Sequence, residues 1–495
     1  MAVHSLFHSQ PQFSGFMKPC RFEGQVSSLE VRGRIPPAIN GVFYRVMPDP
    51  AQVPFIENDP WFNGDGNVSA FHVHDSRVDF RQRYVRTEKF VKERQAGKAL
   101  LGKYRNKYTD AVEFTVRSTA NTNIFPFAGK LLACKEDSPA YRVNPRTLAT
   151  EGLETFNGEL PSCTFTAHPK ICPDTGEMLC MGYEAKGDGT PDVCYFNVSP
   201  EGKVKEVVWL VAPVVALIHD FAFTENYVLF PLIPQTCDLE RLKKGGEHWQ
   251  WDPTIPFYVG VLPRKGAKGT DVKWFRAPNA FPGHTVNAFE NEKGDIVFDL
   301  PSTDRNVFFW WPDKDGNAPE PSSIHAQLLR FTIDPKTKNL DLPPAEVLSK
   351  SDIEFPRIDD RFQGKSHSLA YFDLLDPSLG TDFARIMRPD VVGGGHPVYN
   401  ALGKYNYKTN KMEAYCAGQT HLMQEPVLVP RSKDCEEGDG WLVALVNNYE
   451  TMGSELHIVD TKDMSKAVAI VYLPVRLRAG LHGNWVDGWE LDMLE

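Results

Sequence analysis

The sequence predicts an all-β chain, and three observations carry that prediction. Helical periodicity is scarce, and DLERLKKGGEHW, from Asp238, is the best short helix. Most apolar stretches are strand-length and bounded by turn residues, among them FHVHDSRVDFRQRYV, KLLACKED, ENYVLFPLI, DIVFDL, GWLVALVNN and AVAIVYLPVRL. A hairpin unit also recurs at irregular intervals. YRVNPRTLAT, YFNVSPEGKVKEV, LRFTIDPKTKNLDL, YNYKTNKMEAY and LHIVDTKDMSKAVAI each read as a strand, a turn of small polar residues with Pro, Lys or Gly, and a second strand. Such a unit, repeated along a long chain, suggests a β-propeller of antiparallel blades; a large sandwich or two smaller β domains fit the same pattern.

Proline (38) and glycine (37) are spread evenly over the 495 residues, with no low-complexity linker. A single domain spanning 1–495 is therefore expected, with disorder confined to residues 1–15, which carry His4 and His8. The formal charge of −10 argues against a nucleic-acid or anionic-membrane surface, which would need clustered Lys and Arg. VVWLVAPVVALI is too short and too proline-broken to span a bilayer. The N-terminal stretch has no basic segment followed by an apolar one, so no secretory signal is visible. Nine cysteines without a CxxC pair read as reduced thiols, and the protein is expected in the cytoplasm. On that reading the sequons at Asn67 and Asn197 are chance matches.

Local catalytic motifs are absent. QGKS has Asp359 where a P-loop needs its first glycine, and there is no HExxH, GxSxG or helix-opening GxGxxG. Any chemistry must be assembled from distant positions. Four of the fourteen histidines share a context: His168 in TFTAHPK, His219 in ALIHDFAF, His284 in FPGHTVNAF and His482 in GLHGNW. Each lies among apolar or small residues beside a strand-like run. Separations of 51, 65 and 198 residues exclude one helix or hairpin, but would allow one imidazole on each of four blades. Four imidazoles suit Fe, Zn, Cu or Ni rather than Mg or Ca. Taken singly, each histidine reads first as a hydrogen-bonded core residue, and context alone does not promote the set of four.

Eight motifs in order then carry a family resemblance. WFNGDGNV, CKEDSP, TAHPK, IHD, HTVNAFE, EFPRID, QEPVLVP and LHGNW resemble the carotenoid cleavage oxygenases from about residue 15 to the C-terminus. FRQRYVRTEKFVKERQAGKALLGKYRN and STANTN look most like the stilbene-cleaving branch, the bacterial lignostilbene dioxygenases and fungal resveratrol-cleaving enzymes. The resemblance implies a seven-bladed β-propeller with a central metal site and a cap of loops and short helices over one face. It implies one Fe(II) per chain, without haem or organic cofactor, held by His168, His219, His284 and His482. Glu136, Glu354 and Glu425 align with carboxylates that accept the far N–H of His219, His284 and His482, fixing tautomer and ring orientation.

The resemblance also implies an activity, oxidative scission of the central C=C bond of a 4-hydroxystilbene such as resveratrol or piceatannol into two aromatic aldehydes. Thr122 aligns with a residue whose methyl crowds one of two open metal positions. Tyr104 and Lys135 align with residues that hold the substrate 4′-hydroxyl, the lysine favouring phenolate character, and Phe62 with one that stacks on a substrate ring. The plainer readings are that Thr122 and Phe62 pack in the core, that Lys135 pairs with Asp137, and that Tyr104 lies on a surface loop. Rival functions are a carotenoid or apocarotenoid cleaver with the same iron site, an isomerase like the retinal-pigment member, and a non-catalytic scaffold. The expected partners are dioxygen and a small phenolic stilbene, with no nucleic acid and no strong membrane association, in a monomer or homodimer.

Overall fold

The computed structural model describes residues 6–388 and 390–491. Its strands form seven antiparallel sheets of four to six strands, the blades of a seven-bladed β-propeller. Contacts group into two compact units, Met1–Glu154 with Leu375–Leu402 and Ala414–Glu495, and Thr155–Leu374 with Gly403–Glu413.

The first unit holds three sheets. One is a meander of Asn123–Phe127, Lys130–Cys134, Tyr141–Val143 and Thr150–Leu153. The other two are each built from both ends of the chain. Gly483–Asp487 pairs with Gly41–Pro48, whose sheet continues through Gly66–His74, Arg77–Tyr84 and Gly24–Val26. In the third sheet, Gly440–Asn448, Gly453–Asp460 and Ala467–Tyr472 are joined by Glu30–Gly33 at the outer edge. The strand Gly41–Pro48 shows why these segments need apolar residues throughout. Its period of two sends Val42, Tyr44 and Val46 into a core with Val68, Ile124 and Leu131. Phe43 and Met47 point the other way, into a core with Phe71, Phe80, Val443 and Leu456. A strand buried on both faces thus serves two cores at once.

The second unit holds four sheets. They begin at Lys170–Ile171, Ala216–Leu217, Phe281–Pro282 and Asp352–Arg357. Leu229, Val259 and Val261 of one meet Ile296, Phe298 and Leu300 of the next in a shared core. Four of the five hairpins legible in the sequence are pairs of neighbouring strands, for example Asp192–Val198 with Val204–Val211 and Gly453–Asp460 with Ala467–Tyr472. In the fifth, Gln327–Ile333 pairs with Glu346–Ser349, beyond the expected NLDL, whose Asp341 bridges to Arg276 instead.

The expected short helix is present as Leu239–Lys243, capped by Asp238, whose carboxylate accepts the Arg241 N–H at 2.6 Å. A second helix, Glu88–Ala96, lies in a stretch without apolar periodicity. Thr87 caps its start and Gly97, at φ 67°, ends it. Within the segment where disorder was expected, Phe13 is buried, and just beyond it Phe16 packs against Ile386, Leu422 and Tyr449; His4 lies outside the described residues. None of the nine cysteines forms a disulfide. Among the described residues no helix is long and apolar enough to cross a membrane.

The closing strand fits tightly. A Cβ at Gly483 would lie 2.5 Å from the carbonyl oxygen of Tyr44 in the neighbouring strand. Gly483→Ala is therefore expected to cost about 1–3 kcal/mol, read as a lower midpoint in thermal unfolding. An unchanged midpoint would show that the strand shifts freely.

Candidate functional site

Seven of the residues singled out in the sequence fall one to a sheet, each at an edge strand and mostly where that strand is interrupted or begins. In the second unit His168 precedes Lys170–Ile171. His219 lies between Ala216–Leu217 and Ala222–Phe223, which both pair with Tyr227–Thr236. His284 lies between Phe281–Pro282 and Asn287–Glu290, which both pair with Ile296–Thr303. Glu354 is within Asp352–Arg357. In the first unit Glu425 separates His421–Met423 from Val427–Pro430, both paired with Gly440–Asn448. Thr122 and His482 immediately precede Asn123–Phe127 and Gly483–Asp487.

Within the second unit three imidazoles converge. His168 Nε2 is 3.1 Å from His219 Nε2, which is 3.0 Å from His284 Nε2. His284 Nδ1 donates to Glu354 Oε2 at 2.6 Å, so its Nε2 carries a lone pair. Glu354 also accepts the backbone N–H of His284 at 2.9 Å and that of Phe355. Burial pushes the Glu354 carboxyl up, but the His284 imidazole and these hydrogen bonds hold it below its ordinary value. Phe355 adopts φ 49°, an unfavourable backbone for a bulky residue, and its ring stacks on His284 at 5.2 Å. Gly283 is what admits the carboxylate, because a Cβ there would lie 2.1 Å from Glu354 Oε1.

Asp220 was not singled out by the sequence reading, although it sits in the IHD motif. It is buried and accepts from Lys170 Nζ at 2.8 Å and from the Thr285 N–H at 2.8 Å. It thereby ties the His219 segment to the residue after His284. The donor set fits a metal ion. With metal–imidazole bonds of about 2.1 Å, ligands at right angles sit roughly 3.0 Å apart, which is the spacing of these nitrogens.

Within the first unit His482 Nδ1 donates to Glu425 Oε1 at 2.8 Å, and the Gly483 N–H donates to the other oxygen at 3.0 Å. That leaves His482 Nε2 as an acceptor as well. The His482 N–H donates to the Thr122 carbonyl at 3.1 Å. The Thr122 hydroxyl donates to Asn121 Oδ1 at 3.1 Å, which commits the polar end of the side chain. Glu136 is buried, 3.7 Å from Arg105 Nη1.

Tyr104, Lys135 and Phe62 come together in this unit. Lys135 Nζ is 3.2 Å from the Tyr104 hydroxyl and 4.7 Å above its ring, and the Phe62 ring is 6.2 Å from that of Tyr104. Tyr104 is buried, so the surface-loop reading fails for it. Burial holds the Lys135 amine below its ordinary value and pushes the Tyr104 phenol well above its own.

The chain matches a family model described as retinal pigment epithelial membrane protein over residues 17–487. It is 64% identical over 485 residues to resveratrol cleavage oxygenase 1 of Aspergillus fumigatus, covering 98% of this chain and 97% of that protein. It is 54% identical over 480 residues to carotenoid cleavage oxygenase 1 of Neurospora crassa, covering 97% and 91%. The crystal structure of Pseudomonas brassicacearum lignostilbene dioxygenase superposes with a TM-score of 0.94 at 42% identity, over 98% of this chain and 100% of that one.

Glu354→Gln and Gly283→Ala both disturb the carboxylate that orients His284. Each is expected to weaken divalent-metal binding about 10–100-fold in a titration of metal-free protein. Undiminished affinity in both would show that the ring needs no such support.

Proposed function

The chain belongs to the retinal pigment epithelial membrane protein family, the carotenoid oxygenases, and on that premise we propose that it is a non-haem Fe(II) dioxygenase of 4-hydroxystilbenes. The reaction splits the interphenyl C=C bond of a substrate such as resveratrol or piceatannol. One oxygen atom of dioxygen goes to each carbon, giving two aromatic aldehydes. The observation that carries the substrate choice is the buried Lys135–Tyr104 pair beside Phe62.

The imidazoles of His168, His219, His284 and His482 are assigned to one Fe(II) per chain, a donor group that could hold one ion. Iron bound there supplies the one-electron chemistry that lets triplet dioxygen react with a singlet alkene. Glu354 and Glu425 hold His284 and His482 in the tautomer that frees Nε2; Glu136 is assigned the same part toward His219. At the other end of the substrate, the Tyr104 hydroxyl and Lys135 Nζ bind the 4′-hydroxyl. As an ammonium, Lys135 donates to the 4′-hydroxyl oxygen and stabilises its phenolate character. That charge delocalises toward the central double bond and makes it more electron-rich. Phe62 stacks on the ring, and the Thr122 methyl, its hydroxyl held by Asn121, narrows the space at the metal.

The partners of this reading are dioxygen and one small phenolic stilbene, with the protein a monomer or homodimer in the cytoplasm, where thiols outside disulfides stay reduced. The name of the Neurospora crassa relative favours a second reading, a carotenoid or apocarotenoid cleaver with the same histidines.

Incubating Fe(II)-loaded protein in air with equal resveratrol and an apocarotenal separates the two readings. Hydroxybenzaldehydes with surviving apocarotenal are expected by mass spectrometry, whereas cleavage of the apocarotenal alone would overturn the substrate assignment. Lys135→Met is expected to lower stilbene turnover about 100-fold, the size seen when one electrostatic stabiliser is lost, with iron content unchanged. Full turnover in that variant would remove the phenolate argument.

A further inference from the structure

A second cluster of metal-binding side chains lies within the second unit, apart from the histidines assigned to iron. Glu184 follows the strand Met178–Tyr183, Cys237 follows Tyr227–Thr236, and His248 precedes Gln250–Trp251. All three are buried, and one donor atom from each lies within 4.8 Å of the others. We propose that Glu184, Cys237 and His248 bind a divalent cation of the zinc class through carboxylate, thiolate and imidazole.

The donors are held in place before any ion arrives. Glu184 Oε1 accepts the Gly189 N–H at 2.7 Å, while Oε2 faces His248 Nε2 at 2.9 Å. Arg241 clamps the two segments that supply the other donors, binding the carbonyl of Thr236 at 2.6 Å and that of His248 at 2.8 Å. It also bonds Glu247 O and Gln250 Oε1, so its guanidinium is committed to acceptors on this loop.

The chemistry of the set selects the ion. A thiol excludes Mg and Ca, and one sulfur, one nitrogen and one oxygen donor suit Zn(II) and its neighbours. Metal bonds of about 2.1 Å leave tetrahedral donors roughly 3.4 Å apart, so the Glu184–His248 pair opens slightly to admit the ion while the wider spread contracts. On binding, the Cys237 thiol releases its proton. The resulting thiolate and carboxylate cancel the charge of the ion, which suits a buried site. Cys237 also lines an open groove of about 550 Å³, with Asp238 and Asp252 on its walls.

A buried salt bridge between Glu184 and His248 with a bystander thiol is the plain alternative, and cobalt distinguishes the two. Metal-free full-length protein would be titrated with Co(II) and followed by absorption and metal analysis. Two equivalents are expected, with a near-ultraviolet thiolate-to-cobalt band, since the iron histidines offer no sulfur. Cys237→Ser should lose the band and one equivalent while keeping the other, and His248→Gln should weaken the band with circular dichroism unchanged. Absence of the band in the wild-type protein would overturn the proposal. Should the four-histidine assignment be the one in error, the band would remain with a single equivalent, and Cys237→Ser would bind none.

Discussion

A β-ladder sends alternate side chains into its two packed faces, so a residue meant for neither face must sit where the ladder stops. This constraint governs the candidate site. Tyr227–Thr236 and Ile296–Thr303 are long and buried along almost their whole length, yet each pairs at its edge with two short pieces of strand. His219 and His284 occupy the breaks. Glu425 occupies the corresponding break beside Gly440–Asn448. A break leaves backbone groups outside the regular pairing, and His284 gives its N–H to Glu354, which also accepts the N–H of Phe355, the next residue of its own strand. Glu425, in its break, accepts the N–H of Gly483. The carboxylates thus both stabilise the interrupted backbone and set the tautomers of the rings, and the positive φ of Phe355 is sustained by the same contacts.

Closure of the first unit follows from the same arrangement. The C-terminal strand Gly483–Asp487 completes a sheet begun near the N-terminus, and Glu30–Gly33 completes a sheet made mostly by C-terminal strands. Each end therefore needs the other for its backbone hydrogen bonds, and neither sheet has its full complement of strands until both ends are in place. A histidine a dozen residues from the C-terminus is explained by this exchange. The last edge strand is the one that closes its sheet, and the residue just before it has the same standing as His168 or Thr122 before theirs. Gly483 is small because the Tyr44 carbonyl passes so near.

The parts legible in the sequence were those encoded locally. Four hairpins could be read because turn chemistry and a period of two lie within a dozen or so residues, whereas the partner of Gln327–Ile333 comes only after a longer connection, at Glu346–Ser349. Edge pieces such as Ala216–Leu217 and Phe281–Pro282 span two residues each and carry no readable period. The helix Glu88–Ala96 was hidden for a related reason, since it buries Phe90 with the polar Lys89 and Glu93 rather than an apolar stripe. Histidine context raised four candidates without joining them, and only the ordered motifs of the family resemblance did so. Asp220 and Gly283 carried no signal of their own. The role of Asp220 rests on Lys170 and Thr285, and that of Gly283 on a carboxylate 71 residues away in the chain, at Glu354.

The pair Lys135 and Tyr104 bears on what kind of molecule the protein accepts. Burying an amine is costly unless something repays the lost hydration, and isolated charges in such places neutralise or find a partner. Lys135 lies 4.7 Å above the Tyr104 ring and within hydrogen-bond distance of its hydroxyl, in surroundings that push the amine down and the phenol up. The neighbouring carboxylates of Asp137 and Glu136 favour the ammonium, while Arg105 and Arg117 oppose it. Burial outweighs these charges and holds the amine below its ordinary value. On the function proposed above, a hydrocarbon polyene would offer this pair no polar contact. A phenolic hydroxyl would instead give the ammonium an oxygen to donate to, and would add to the compensation that Tyr104, Asp137 and Glu136 already supply.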